Sequence, residues 1–516
     1  MKKLIALLLA VLMVVSAFAA CGTDTTDDPA ATTVAEGDGT TEGDGEQTES
    51  EVVEFDPSAE YVYKDSVSTM ATNWNPHTYQ TVDDDYLTPY IRVGLYGFIF
   101  NDELNPVEGK EAYEGYVIIP EMAADMPVDV TEQVKEEHPE FGIPESATSG
   151  FAYTIDLNPD AVWEDGTPIN ADTYVYSMKR LLAPELLNYR ATDYYSNNFS
   201  IAGAEAYANG GSTAYSDAMS AYTLADLTKN EDGQYVNADG KKMYIGLNVI
   251  LSWLSGETLQ TYVDTYGDAY FDTTNWDTLV SMMDAKGAIP LTDENLELFT
   301  TVIATEAWDE TAEDAYNYFV VGTDYPVVDY DGTVGLYKSG DYQITLVLSR
   351  ALSGFNLLYN LTSNWIVYED LYESCLTETN GVWTSTYNTS VETTMSYGPY
   401  KLTDYQTDKH MRLERNDTWY GYTDGKHIYV DPVDGQTYPM YMTTAIDTQV
   451  VAEASTRKMM FLSGELMTYG LQTEDYDTYR NSDYCYATPA ETIFFLILNG
   501  HLQALNEREA AADFDT

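Results

Sequence analysis

The chain has little positive charge. Only 24 of its 516 residues are lysine or arginine, against 85 aspartates and glutamates, and its formal net charge is −61 at pH 7. Such a field repels phosphate backbones and anionic lipid headgroups, which argues against nucleic acid as a partner. We interpret the acidity as a solvated surface that keeps an exported protein in solution; an acidic site for cationic ligands is the alternative.

Cysteine is equally scarce. Three cysteines in a chain of this length exclude a disulfide-stabilised scaffold. Cys375 and Cys485 are the two that could pair with each other, but the sequence does not fix the distance between their Cα atoms. A length of 516 residues is too great for one core and favours two or three domains.

The common catalytic and metal-binding signatures are missing. The sequence contains no HExxH, GxSxG, P-loop or paired CxxC motif, and its five histidines do not show metal-ligand spacing. Ser455 and Lys458 match the S-x-x-K of penicillin-recognising serine enzymes, but the K-T-G partner of that motif is absent. We therefore predict no catalytic residue, no metal and no cofactor, and we interpret Lys458 as a surface residue of a helix.

The N-terminus reads as an export signal. Residues 1–20 combine two lysines with a short apolar run, too short for the roughly 20 residues that span a bilayer. Cleavage after Ala19 by ordinary signal peptidase is one reading. The other is a lipobox ending at Cys21, in which Phe18 departs from the usual leucine. Residues 21–58 are an acidic Thr/Gly/Asp/Glu tether predicted to be disordered, and a tether favours lipid attachment at Cys21.

Two segments further along the chain have clear local patterns. Residues 400–415 alternate apolar and polar side chains on either side of a polar loop, which predicts a β-hairpin entered through Gly398 and Pro399. Residues 151–157 predict a strand, followed by an Asp165-Gly166 turn and by a helix capped by Asn170. We also expect helices over 87–97, 248–263, 293–305 and 446–461.

These segments carry a family resemblance. The wording "GPYKLTDY" with "LERNDTWYG" in the hairpin, "YTIDLNPDAVWEDGTPINADTYVYSMKRLL" from Tyr153, "IAGAEA" from Ile201 and "SGE" from Ser463 resembles family 5 of the extracellular solute-binding proteins. These are the oligopeptide- and dipeptide-binding proteins of ABC importers. The motifs occur in the family's order between about residues 61 and 500, which is more specific than any one of them.

The resemblance implies an α/β, periplasmic-binding-protein-like two-lobe fold with mixed sheets and an extra domain in the first lobe. Residues 59–100 and 353–470 correspond to domain I, and 101–352 to domain II with an elaboration over 212–319. Residues 471–516 correspond to the start of domain III. No later motif of the second lobe follows, so we expect that lobe to be largely missing from this sequence and the ligand cleft to be incomplete.

The function implied by the resemblance is capture of peptides outside the cytoplasm for the permease subunits of an ABC transporter. The protein is then a monomer without enzymatic activity, lipid-anchored at a bacterial cell surface or in the periplasm. An oligosaccharide is the alternative ligand, since many of the 45 tyrosines could stack on sugars. The residues implied to bind ligand are Asn73, Trp74, Asn75, Pro76, His77, Thr81, Asp83, Asp84, Tyr469, Gly470 and Leu471.

Overall fold

A computed structural model describes the chain over residues 60–103, 105–107, 109, 115–217, 222–251, 254, 257–308, 310–379 and 382–486. The signal segment, the tether, Cys21 and the expected strand near residue 494 lie outside these residues. None of the helices in the described ranges has the length and apolar character needed to cross a membrane.

The described strands fall into two halves of the sequence. Those of the first half are β1 (Val62–Val67), β2 (Tyr96–Asn101), β3 (Gly115–Pro120), β4 (Val128–Asp129), β5 (Ala152–Asp156), β6 (Thr213–Asp217), β7 (Thr228–Lys229), β8 (Tyr235–Val236), β9 (Met243–Gly246) and β10 (Ala288–Pro290). Those of the second half are β11 (Phe319–Asp324), β12 (Leu336–Gly340), β13 (Gln343–Val347), β14 (Leu376–Thr379), β15 (Val382–Ser385), β16 (Tyr400–Gln406), β17 (His410–Arg415), β18 (Ile428–Val430), β19 (Thr437–Pro439) and β20 (Ala445–Val450).

The α-helices are short. They are α1 (Thr88–Ile91), α2 (Thr131–Glu137), α3 (Ala171–Leu181), α4 (Ala204–Ala208), α5 (Leu259–Tyr266), α6 (Thr273–Met282), α7 (Asp293–Ile303), α8 (Gly354–Asn360), α9 (Glu369–Ser374), α10 (Ala454–Leu462) and α11 (Tyr476–Tyr479). Single 3-10 turns, among them Asp84–Leu87 and Tyr189–Tyr194, connect several of these elements.

Three four-stranded sheets organise these elements, in the orders β1-β20-β17-β16, β12-β13-β5-β4 and β10-β9-β11-β6. In the first sheet β1 runs parallel to β20, whereas β20, β17 and β16 are antiparallel neighbours. The neighbours within each of the other two sheets are antiparallel. The predicted α/β class with mixed sheets is therefore confirmed, whereas the division into domains I, II and III stays a prediction.

Each of these sheets has its own apolar core. Alternate residues of β16, β17 and β20 face a core that also contains Trp74, Leu87 and Ile91. The sheet containing β5 packs against one face of α3, and the sheet containing β9 packs against α5, α6 and α7. The period of two in the strands and of 3.6 in α3 thus places apolar side chains on a single buried face of each element.

The hairpin and the capped helix form as predicted. Strand β16 pairs with β17, and the main chain at Gly398 passes so close to α1 that a Cβ there would lie 2.5 Å from the Arg92 nitrogen. Gly166 has φ +87°, as the Asp165-Gly166 turn requires. The Asn170 side chain accepts a hydrogen bond from the Thr173 amide, 3.2 Å, at the start of α3.

Three expected helices differ from the structure. The helix expected over 87–97 ends at Ile91, because Arg92 is extended and Gly94 lies against the Thr362 carbonyl, where a Cβ would be 2.4 Å away. The helix expected over 446–461 is wrong in its first half, where β20 pairs with β1 and β17. In the described part of 248–263 the α-helix begins only at Leu259, whereas α7 confirms the helix expected over 293–305.

The two cysteines that the structure describes do not pair. Cys375 is a buried free thiol, and Cys485 is free and half-buried. The disulfide left open by the sequence is therefore not formed.

Candidate functional site

The loop after β1 is a compact turn built by its own side chains. The Asn73 side-chain oxygen accepts a hydrogen bond from the Asn75 amide, 3.2 Å, and its amide nitrogen donates to the Thr78 hydroxyl, 3.1 Å. The Asn75 side-chain oxygen accepts from the His77 amide, 2.9 Å. Asparagine favours such turns because its side chain can bond to the main chain two residues on.

Trp74 and His77 point into the protein and not toward solvent. Trp74 is fully buried and its indole donates to the Thr394 hydroxyl, 3.0 Å. The His77 ring is also fully buried, with Nε2 3.0 Å from the Trp365 carbonyl and Nδ1 3.1 Å from the Tyr372 hydroxyl. Burial lowers the pKa of His77 to about 3, so the ring is neutral and Nε2 donates to the carbonyl.

Asp84 closes the same loop from its far end. Its carboxylate accepts from the Thr72 amide, 2.9 Å, from the Asn73 amide, 3.0 Å, and from the Thr81 hydroxyl, 2.8 Å. Burial alone would raise the pKa of Asp84, but these hydrogen bonds favour its charged form, and the pKa lies below its usual value. Asp84 is thus a structural brace, while Thr81 and Asp83 remain exposed.

The third predicted group follows α10. The Tyr469 hydroxyl donates to the buried Asp475 carboxylate, 2.7 Å, and Gly470 is exposed. Just before this group, the Met467 amide donates to the Lys64 carbonyl of β1, 2.9 Å. The segment therefore runs beside the strand from which the loop at 73–77 departs.

A cavity of about 370 Å³ lies beside the 73–77 loop. Pro76 and Tyr79 line it on one side and Arg92 on another. Arg190 and Asp193, from the 3-10 turn that follows α3, line a third side; they form an ion pair of 2.9 Å. The Arg190 guanidinium also lies over the Tyr79 ring, 4.4 Å from its centroid, so the loop and the turn are joined across the cavity.

Comparison with known families identifies the chain at this point. The family model described as "Bacterial extracellular solute-binding proteins, family 5 Middle" matches residues 118–285 and 301–512. The chain belongs to this family. No curated protein sequence is significantly similar to it.

Several solved structures resemble this family 5 protein at low identity. An oligopeptide ABC transporter substrate-binding domain from Bacillus anthracis shares 14% identity at a TM-score of 0.43, over 83% of this chain and 48% of that chain. Listeria monocytogenes OppA bound to peptide shares 13% identity at a TM-score of 0.41, over 83% and 49%. The pheromone receptor PrgZ shares 14% at 0.41, over 82% and 50%. The chain thus spans about half the length of these structures.

A second cavity, of about 620 Å³, contains the family 5 protein's buried ion-paired histidine. His427 Nε2 lies 3.0 Å from a Glu121 oxygen and Nδ1 lies 2.9 Å from an Asp424 oxygen. Burial alone would lower the pKa of His427, but its hydrogen bond to Glu121 and the two carboxylate charges raise the pKa above its usual value. The Trp419 ring packs 4.8 Å from the imidazole.

The remaining chemistry of the family 5 protein gives no catalytic arrangement. Lys458, the second position of the S-x-x-K match, forms an ion pair of 2.5 Å with Asp475, which raises its pKa. It is therefore held as a cation and is poorly suited to take a proton from Ser455. Within the described ranges, no group of three or more histidine, cysteine or acidic side chains could hold a metal ion.

Sequence reasoning found only part of this region. It found the loop at 73–77 but not that Trp74, Asn75 and His77 turn their side chains inward, where they are at most 1% exposed. It did not single out Arg92 or Arg190, because a lone arginine beside a helix or turn carries no pattern. The one available signal for Arg190 was its place just upstream of the "IAGAEA" motif.

Proposed function

We propose that this family 5 protein captures peptides outside the cytoplasm, as a monomer, and delivers them to the permease subunits of an ABC importer without chemical change. The observation that carries the proposal is the family match over residues 118–285 and 301–512. The peptide class comes from the motifs at 153–182 and 398–421, which resemble the oligopeptide- and dipeptide-binding members. Binding through the peptide main chain, with roomy pockets for side chains, suits a protein that accepts varied sequences.

The ligand-contacting positions belong to the same proposal. The exposed Thr81 and Asp83, the cavity-lining Pro76, and the Tyr469–Leu471 segment offer surface to a solute. Asn73, Trp74, Asn75, His77 and Asp84 act by holding the loop in shape. A solute closing against this face would be held by the loop's outer residues and main chain.

Attachment to the membrane through a lipid on Cys21 completes the proposal. The acidic tether over 21–58 follows directly on that cysteine and would let the folded part reach away from the membrane. The protein would then work at a bacterial cell surface or in the periplasm.

An oligosaccharide is the second candidate ligand. Phe355 and Tyr359 are each at least half exposed and their rings stack, 5.8 Å apart at 28°. Exposed aromatic faces of this kind also suit sugar rings. Phe98, 6.2 Å from Tyr359, extends the aromatic surface.

A thermal-shift screen of the full chain against peptide pools and oligosaccharide pools separates the two ligands. A ligand at about one hundred times its Kd adds roughly 2.7 kcal/mol of stability, which is several degrees in Tm. We expect stabilisation by peptides alone. Stabilisation by sugars alone would refute the peptide proposal, and Phe355→Ala with Tyr359→Ala should then remove it.

A further inference from the structure

Arg92 is a buried cation whose acceptors are all neutral. Its side chain is at the wall of the 370 Å³ cavity and the residue is only 3% exposed. The guanidinium donates to the Trp74 carbonyl and, at 3.5 Å, to the Thr88 hydroxyl. With its amide turned over, Asn388 is a third acceptor. In the part of the chain that the structure describes, Arg92 has no carboxylate within 4.0 Å.

A charge in this position is incompletely compensated. Neutral carbonyl and hydroxyl oxygens satisfy hydrogen bonds but do not cancel a full positive charge in a site shielded from water. Burial accordingly lowers the pKa of Arg92, although an arginine remains protonated at any ordinary pH. The guanidinium's planar set of five N–H donors also exceeds the acceptors it has.

A second group on the same wall lacks a partner of the opposite kind. The Asn364 side-chain oxygen is buried and accepts no hydrogen bond from any residue that the structure describes. It lines the cavity together with Arg92. The wall thus offers a strong donor for an anion and a free acceptor for an N–H group.

We propose that this cavity is a subsite for a carboxylate that binds to Arg92, with an adjacent N–H of the same ligand donated to Asn364. This inference rests on the proposed function and narrows its ligand. A peptide's C-terminal residue has both groups, since its carboxylate is two bonds from an amide N–H. An aspartate or glutamate side chain supplies the same carboxylate. Arginine suits either because its fork of donors matches the two carboxylate oxygens.

Two aspartates on the wall define what the subsite must overcome. Asp193 is already paired with Arg190, so its charge is largely compensated. Asp85 also lines the cavity and has no ion pair among the described residues within 4.0 Å. It opposes an incoming anion, and we expect it to keep carboxylate binding weak.

Three small probes test the proposal on the full chain by isothermal titration calorimetry. N-acetylalanine has the α-carboxylate, N-acetylalaninamide lacks it, and the α-amide of N-acetylglutamate has only the side-chain carboxylate. We expect at least one of the two acids to bind tenfold or more tightly than N-acetylalaninamide. Which acid binds better identifies the terminal or side-chain source. Equal affinities for all three, or no binding by any, would overturn the proposal.

Variants locate the carboxylate. Arg92→Gln should remove the preference for the acid, Asn364→Ala should weaken the acid at least threefold, and Asp85→Asn should strengthen it at least threefold. If Arg92→Gln does not fold, the Asp85→Asn result decides, because weaker or unchanged acid binding there refutes a carboxylate at this wall. Peptides that stabilise the chain equally with a free or amidated C-terminus and without acidic residues would leave peptide capture standing and refute the subsite alone.

Discussion

Gly398 and Arg92 approach each other through their main chains, with no room for a side-chain carbon at position 398. A Cβ there would lie 2.5 Å from the Arg92 nitrogen and 2.6 Å from the Ile91 carbonyl carbon. The neighbouring Tyr397 amide donates to the Ile91 carbonyl, 3.0 Å. This contact sets the entry of β16 against the end of α1, and with it the position of Arg92 at the cavity.

Gly398→Ala should therefore destabilise the protein by about 2 kcal/mol or more, since main chain must shift to admit the methyl group. Gly470→Ala is the matched control, because a Cβ at Gly470 meets nothing within 4 Å. Urea denaturation of both variants measures the difference. Equal midpoints would show that the α1–β16 contact yields easily.

Gly166→Val should cost more than about 1 kcal/mol, because a β-branched residue is strained at φ +87°. No atom lies within 4 Å of a Cβ at this position, so the loss is conformational and not steric. Gly166→Asn is the control, since asparagine tolerates the left-handed region. A denaturation midpoint as low for the asparagine variant as for the valine variant would contradict this reading.

His427→Gln should destabilise the protein most at acidic pH. The folded state raises the pKa of His427, so its ion pairs with Glu121 and Asp424 stabilise fully below the unfolded pKa of about 6.5. That stability is lost as pH rises through the folded pKa. We expect a loss of about 2 kcal/mol at pH 5.5 and a smaller one at pH 9. Urea midpoints at the two pH values check this, and a loss that does not shrink with rising pH would count against a charged imidazole.

His77 should act in the opposite direction. Its folded pKa is lowered to about 3, so below pH 6.5 the unfolded state gains a proton that the folded ring does not. Stability therefore falls as pH drops from about 6.5 toward 3. His77→Gln, whose amide can still donate to the Trp365 carbonyl, should flatten this fall. Unfolding free energies between pH 6.5 and 4.5 measure the slope, and an unchanged slope would contradict a neutral buried ring.

Cys21→Ala should release the protein from the membrane into the medium. This follows from the sequence alone, where a lipobox-like run precedes Cys21 and an acidic tether follows it. Fractionation with immunoblotting measures the release, and mass spectrometry of the wild type should find a diacylglyceryl-modified N-terminus. An unmodified N-terminus at Ala20 would instead support ordinary signal-peptidase cleavage.

Local patterns were sufficient for parts of this fold. The hairpin β16–β17, the turn at Gly166 and the Asn170 cap each depend on residues within a few positions of one another. Strand β20 was misread because Ile446, Thr448 and Val450 precede a true helix, and their period of two blends into its apolar positions. Only the pairing with β1 and β17 makes that segment a strand.

The candidate site was less accessible to sequence reasoning. Resemblance located the loop at 73–77 but not the direction of its side chains, which depends on partners such as Trp365, Tyr372 and Thr394 nearly 300 or more positions away. Arg92 and Asn364 meet at one cavity only in the folded chain. Neither has a sequence signature of its own.

The pairing of β1 with β20 has a consequence for how the chain is made. Tyr61 is hydrogen-bonded to Thr444, 383 residues later, and β1 makes its ladder with no nearer strand. At about 5–20 residues per second, a ribosome needs roughly 20–80 s between these two residues. For that interval β1 exposes main-chain groups that any other extended segment can pair with, so the first strand to emerge is the last to be secured in its sheet.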